Sequence, residues 1–147
     1  MKAPAFSLLA DNGETISLDQ FKGQNLVIFF YPKDDTPGCT KESCGFSENL
    51  TQFKKLNTAV LGVSRDSIAS HQKFKSKFNL AFPLLSDSEE TMCKAYEVLG
   101  EKMNYGKTYI GVIRSTFLID EEGNIAHSWR NVKVDGHVDE VLKFCLQ

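Results

Sequence analysis

The sequence has little of what marks a specialised partner. Its 147 residues carry 17 basic and 19 acidic side chains, a formal net charge of −2. The two signs are interleaved, so there is no basic stripe for nucleic acid and no charge block for a membrane surface. Arginine is scarce, with only Arg65, Arg114 and Arg130. The longest apolar run, Leu26–Tyr31, is far too short to span a bilayer. The opening "MKAPAFSLLADNGE" reaches acidic and turn residues too soon for a signal peptide, so a cytoplasmic, reducing location is expected. Repeats, low-complexity tracts and Pro/Gly/Ser-rich linkers are also missing, which leaves one domain over residues 1–147.

Four cysteines are present, at 39, 44, 93 and 145. A chain this long can bury a core without staples, and reducing compartments rarely hold permanent crosslinks. Zinc normally takes two close ligand pairs. Cys39 and Cys44 stand at the wide limit of such spacing and no second pair exists, so no metal site is expected. His71, His127 and His137 have no acidic or cysteine partner at ligand or base spacing and read as surface or capping residues.

Hydrophobic periodicity gives the layout. "FSLL" and "ETISL" flank Asp11-Asn12-Gly13 as an amino-terminal hairpin, and Leu26–Tyr31 reads as a strand covered on both faces. Phe46, Leu50 and Phe53 predict a helix running to about Leu56. Residues 59–64 form a second buried strand, followed by a helix that Asp66 or Ser67 caps. "FPLLSD" is a short extended piece, and Met92, Tyr96 and Leu99 fall in helical register after it. Residues 100–111, with three glycines, read as a loop. "STFLIDEEGNIAHSW" is a hairpin, and a last helix carries Val138, Val141, Leu142 and Cys145 on one stripe. This order predicts an α/β sandwich of thioredoxin-like layout, a central mixed sheet flanked by helices.

The stretch "YPKDDTPGCTKESCG" holds the chemistry. Cys39 falls at a helix start, where unpaired amides and the dipole favour an anion and so the reactive thiolate. Pro37 suits the helix entry, Gly38 permits close backbone approach, and the Thr36 hydroxyl both donates and accepts. Lys33 and Lys41 are outweighed by Asp34, Asp35 and Glu42. An activated thiolate therefore needs a cation from elsewhere, and topology leaves Arg65, Arg114 and Arg130 equally open. Taken singly these residues have plainer readings: a turn, a helix cap, a solvated arginine. Cys93 and Cys145, on apolar helix faces, read as small buried hydrophobes.

"P-K-D-D-T-P-G-C" resembles the peroxiredoxin pattern of proline, three residues, threonine, two residues and peroxidatic cysteine. With "C-T-K-E-S-C-G" it resembles the bacterioferritin-comigratory, or Q-type, subfamily of atypical two-cysteine peroxiredoxins. The likeness runs through "APAFSLLADNGETISL", "FPLLSD" and "GKTYIGVIRSTFLID" and covers nearly the whole chain.

The resemblance implies reduction of hydrogen peroxide and organic hydroperoxides without metal or bound cofactor. Cys39 is then the peroxidatic nucleophile, Thr36 and Arg114 contact thiol or peroxide, and the amides of Gly38 and Cys39 hold the peroxide oxygens. Pro32 walls the pocket from water. Cys44 resolves the sulfenic acid as an intramolecular disulfide that thioredoxin reduces, with Cys93 as a substitute resolver, and the protein is a monomer. Two other classes stay open. A protein thiol-disulfide oxidoreductase wants C-x-x-C, which is not supplied; a redox sensor or zinc-binding module is the second.

One geometric consequence attaches to the implied pairing. On one regular helix, residues five apart have Cα atoms about 8.6 Å apart. A disulfide needs about 6.8 Å or less. If Cys39 and Cys44 share a helix, its first turns must unwind before they join.

Overall fold

The computed structural model describes residues 1–147. The strands are β1 (Ser7–Leu9), β2 (Thr15–Ser17), β3 (Asn25–Phe30), β4 (Thr58–Ser64), β5 (Leu84–Ser86), β6 (Leu99–Asn104), β7 (Lys107–Val112), β8 (Ser115–Ile119) and β9 (Ile125–Trp129). The helices are α1 (Pro37–Glu48), α2 (Leu50–Lys55), α3 (Ile68–Phe78), α4 (Thr91–Ala95) and α5 (His137–Cys145). The central sheet has the order β5-β4-β3-β8-β9. β3, β4 and β5 run parallel, whereas β8 and β9 pair antiparallel. This is the mixed sheet flanked by helices that the residue pattern predicts, with β1–β2 as the amino-terminal hairpin.

β3 explains why both faces are covered. Its alternate residues Leu26, Ile28 and Phe30 pack with the amino-terminal segment and α4. Val27, Phe29 and Tyr31 pack with α1, α3 and α5 on the other face. A strand buried on both sides must be apolar at successive positions, and this one is. Phe29 stacks on Phe46 of α1 with ring centroids 4.7 Å apart, which seats the cysteine helix on the sheet.

Four expectations need correction. The helix expected to reach Leu56 is broken at Asn49, whose backbone leaves the helical region (ψ 7°) while its side chain donates to Gly45 O. The helix predicted through Leu99 stops at Ala95, because Glu97 takes a left-handed φ of 57°. Leu99 instead begins a strand. The expected loop 100–111 is the β6–β7 hairpin, closed by Tyr105 and Gly106 at φ 51° and 77°. Two positive-φ residues make the tight turn whose twist suits a hairpin. Finally, His71 and His137 are buried, not superficial. His71 donates from Nε2 to Leu85 O and lies 2.7 Å from Asp34 Oδ2 through Nδ1, while His137 Nε2 is 2.8 Å from the Thr116 hydroxyl.

Candidate active site

The parallel strands β3 and β4 end at the same sheet edge, and the chain between β3 and α1 lies there. Tyr31 is the last buried residue of the strand run, and half-buried Pro32 follows at the rim. Thr36 precedes α1 in extended conformation, and Pro37 occupies the first helical position. Pro37 has no N–H to lose there. The Thr36 carbonyl accepts the first helical bond from Thr40 N at 2.8 Å. Its side chain makes no cap, donating instead to Lys33 O at 2.9 Å. The amides of Gly38 and Cys39 are therefore left without a backbone or side-chain partner.

Cys39 sits on the inner face of α1 with 1% of its surface exposed. Arg114, between β7 and β8, donates from Nη2 to Cys39 Sγ at 3.4 Å and from Nη1 to Glu42 Oε1 at 2.8 Å. One guanidinium thus bridges the sulfur and a carboxylate one turn further along α1. Gly38 is what lets it in: a Cβ there would stand 3.1 Å from Arg114 Nη2. Of the three arginines the structure selects this one. Arg65 donates to Glu90 at 2.8 Å, and Arg130 donates to Glu97 O at 3.0 Å.

Most of the other local charges are paired away from the sulfur. Lys41 pairs with Asp135, Lys77 with Asp35, and His71 with Asp34. Glu42 is fully buried, and burial pushes its carboxyl up to about 7 against the pull of Arg114. Its Oε2 has no hydrogen-bond partner and lies 4.0 Å from His137 Nε2. Burial lowers His137 to about 4, so that imidazole is neutral near pH 7. Ser43 Oγ is also buried without a partner. A turn that carries two unsatisfied buried oxygens is held less firmly than a fully bonded one.

Cys44, half-buried on the same helix, faces a groove lined by Lys41, Glu48, Val134 and Val138. Burial and the Glu48 carboxylate raise its thiol. Both cysteines lie within the regular span of α1, five residues apart. Cys93 is fully buried in the core on the opposite face of the sheet from Cys39. Burial and the nearby Asp87 push its thiol far up. Cys145 is half-buried beside α5's apolar stripe and is raised by burial.

Sequence reasoning missed a second cluster, built on Asp34 of the loop between β3 and α1. Asp34 Oδ1 accepts from Tyr31 Oη at 2.6 Å, and Oδ2 accepts from Ser70 Oγ at 2.8 Å beside His71. Burial opposes charge on His71, but the Asp34 carboxylate outweighs it and raises the imidazole. Asp34, Asp66 and His71 bring their polar atoms within 4.8 Å of one another. Both His71 nitrogens and both Asp34 oxygens are already engaged, so this set closes on itself as a hydrogen-bond network. Its two halves, around Asp34 and around Asp66 to His71, lie more than thirty residues apart, and no local spacing joins them.

The AhpC/TSA family model matches residues 1–128. Peroxiredoxin Bcp of Bacillus subtilis is 49% identical over 142 residues, covering 97% of this chain and 90% of that one. Xanthomonas campestris Peroxiredoxin Q superposes with a TM-score of 0.92 at 47% identity, over 96% of this chain and 89% of that one. A Xanthomonas campestris bacterioferritin comigratory protein, studied for its alkyl peroxide reduction activity, superposes at 0.92 with 46% identity, over 96% and 90%.

Proposed function

The chain belongs to the AhpC/TSA family as a peroxiredoxin of the Bcp kind, a thiol-dependent peroxidase, and from that premise we propose how its own residues divide the work. Cys39 is the peroxidatic cysteine. Its thiolate attacks the terminal oxygen of a hydroperoxide; the S–O bond forms, the O–O bond breaks, and the departing alkoxide takes a proton to leave as alcohol or water. Arg114 steadies sulfur and the developing negative charge, and the unpaired amides of Gly38 and Cys39 supply further donors at the helix start. Thr36 accepts from the peroxide, and Pro32 walls the rim. The observation that carries this reading is the single guanidinium 3.4 Å from Cys39 Sγ.

Cys44 then attacks the sulfenic sulfur; an S–S bond forms and water leaves. Because both cysteines lie in α1, about 8.6 Å apart at ideal geometry, the first turns of the helix unwind for this step. The partnerless Glu42 Oε2 and Ser43 Oγ belong to residues between the two cysteines in the sequence and lower the cost of unwinding. Cys93 is separated from Cys39 by the sheet and resolves only as a substitute. Thioredoxin returns both thiols. The protein works as a monomer of one domain in the cytoplasm, and none of its helices is long and apolar enough to cross a membrane.

The test is consumption of hydrogen peroxide by the reduced protein with thioredoxin and its reductase. Wild type turns over and Cys39→Ser does not. Equal turnover by Cys39→Ser removes the assignment of Cys39. Turnover with dithiothreitol but not with thioredoxin removes only the reductant.

A further inference from the structure

We propose that Asp66 is a positioning residue for peroxide reduction, acting through the Lys33–Asp34 peptide to fix the Thr36 hydroxyl as a hydrogen-bond acceptor. The proposal rests on the assignment of Thr36 to the peroxide made above. One peptide unit carries the effect. Its carbonyl, on Lys33, accepts the Thr36 Oγ1 proton at 2.9 Å. Its N–H, on Asp34, donates to Asp66 Oδ2 at 2.9 Å.

A threonine hydroxyl has one proton and two lone pairs. With its proton committed to Lys33, Thr36 offers a substrate lone pairs only. It can accept from a hydroperoxide O–H and cannot donate to it. The terminal oxygen, the one attacked by sulfur, is the oxygen that bears this hydrogen. An acceptor there holds the attacked oxygen, while the Arg114 N–H groups and the α1 amides remain for the atoms that carry negative charge.

The loop cannot hold this arrangement alone. Lys33 and Asp35 are exposed, and Asp35 takes a left-handed φ of 56° that a non-glycine residue rarely adopts unaided. The carboxylate on the N–H side both orients the peptide and polarises its carbonyl, which strengthens the bond to Thr36. Asp66 is itself anchored to the sheet. Ser64 Oγ donates to its Oδ2 at 2.6 Å, its own N–H donates to Ser64 Oγ at 3.1 Å, and Ser86 Oγ donates to its carbonyl at 2.6 Å. Ser64 and Ser86 end β4 and β5. On the far side, the Asp34 carboxylate is gripped by Tyr31, Ser70 and His71. The ends of two strands thereby set the polarity of one hydroxyl.

A double-mutant cycle tests this. The second-order rate of Cys39 oxidation by hydrogen peroxide is measured for wild type, Thr36→Val, Asp66→Ala and the double variant. Iodoacetamide alkylation of the same sulfur, which needs no acceptor, is measured alongside. Thr36→Val and Asp66→Ala should each slow oxidation by about tenfold, the scale of one hydrogen bond. The double variant should be no slower than Thr36→Val, with alkylation within about twofold throughout. Asp66→Asn keeps an acceptor oxygen for the Asp34 amide and should stay close to wild type. If Asp66→Ala does not fold, Asp66→Ser, too short to reach that amide, replaces it. An equal cost of the Asp66 change in both backgrounds, or no cost in either, overturns the proposal and leaves the site reading standing. A Thr36→Val variant as fast as wild type overturns the assignment of Thr36 and the proposal with it.

Discussion

Glu42→Gln separates the charge beneath the cysteine helix from its shape. The glutamine oxygen can still accept from Arg114 Nη1, which stands 2.8 Å from Glu42 Oε1, but the side chain can no longer ionise. Burial raises the wild-type carboxyl from its ordinary 4.5 to about 7. The folded protein therefore binds that proton more tightly than the unfolded chain. The stability Glu42 contributes is fully present below pH 4.5 and is lost as pH rises through 7. The gap between the two values, at about 1.36 kcal/mol per pH unit, comes to about 3 kcal/mol. Urea unfolding of the reduced protein between pH 4 and pH 8 (roughly the window of this titration) reads it out. Across that window the variant should gain about 3 kcal/mol relative to wild type. The same proton acts on the unwinding step, because Glu42 lies between the two cysteines and is freed with them. Disulfide formation should accelerate with pH more steeply in wild type than in Glu42→Gln. Parallel stability curves over the whole window would refute the reasoning, since they would mean that folding leaves this carboxyl unperturbed.

Two further outcomes follow from the same geometry. Arg114→Ala should slow oxidation of Cys39 by at least about a hundredfold with the fold intact, the scale of a lost oxyanion donor. Arg114→Lys should recover only part, because a point charge cannot bridge Sγ and Glu42 as the guanidinium does; an unchanged rate in Arg114→Ala would remove its role. Hydrogen exchange should show residues 36–46 losing protection in the disulfide form. A smaller loss is expected near Val138, where the Gly45 backbone packs so closely that an added Cβ would lie 3.0 Å away. Unchanged protection there, in protein carrying a Cys39–Cys44 bond, would exclude unwinding.

What could be read in the sequence and what could not have different physical causes. β3 and β4 were legible because strands buried on both faces leave unbroken apolar runs. The helix start at Cys39 was legible because Thr-Pro-Gly before it makes a helix entry. The β6–β7 hairpin was not, because its exposed strands bury few residues and therefore carry no apolar alternation. Its signal lay in the Tyr105-Gly106 turn alone. Local charge counting around Cys39 called for a cation from elsewhere in the chain, and Arg114 stands 3.4 Å from its sulfur. Asp34, Asp35 and Glu42 find partners at His71, Lys77 and Arg114, so the charges adjacent in sequence do not set the field at the sulfur. The choice of Arg114 over Arg65 and Arg130 likewise depends on which guanidinium finds another acceptor first.

The central claim, that Cys39 takes the oxygen and Cys44 resolves it, meets its most direct test in one measurement. The reduced protein is treated with one equivalent of hydrogen peroxide, the remaining thiols are blocked, and the crosslinked peptides are identified by mass spectrometry. The account predicts a bond between Cys39 and Cys44, with Cys93 and Cys145 recovered as blocked thiols. Four blocked thiols, or a bond that joins Cys39 to Cys93 instead, would contradict it.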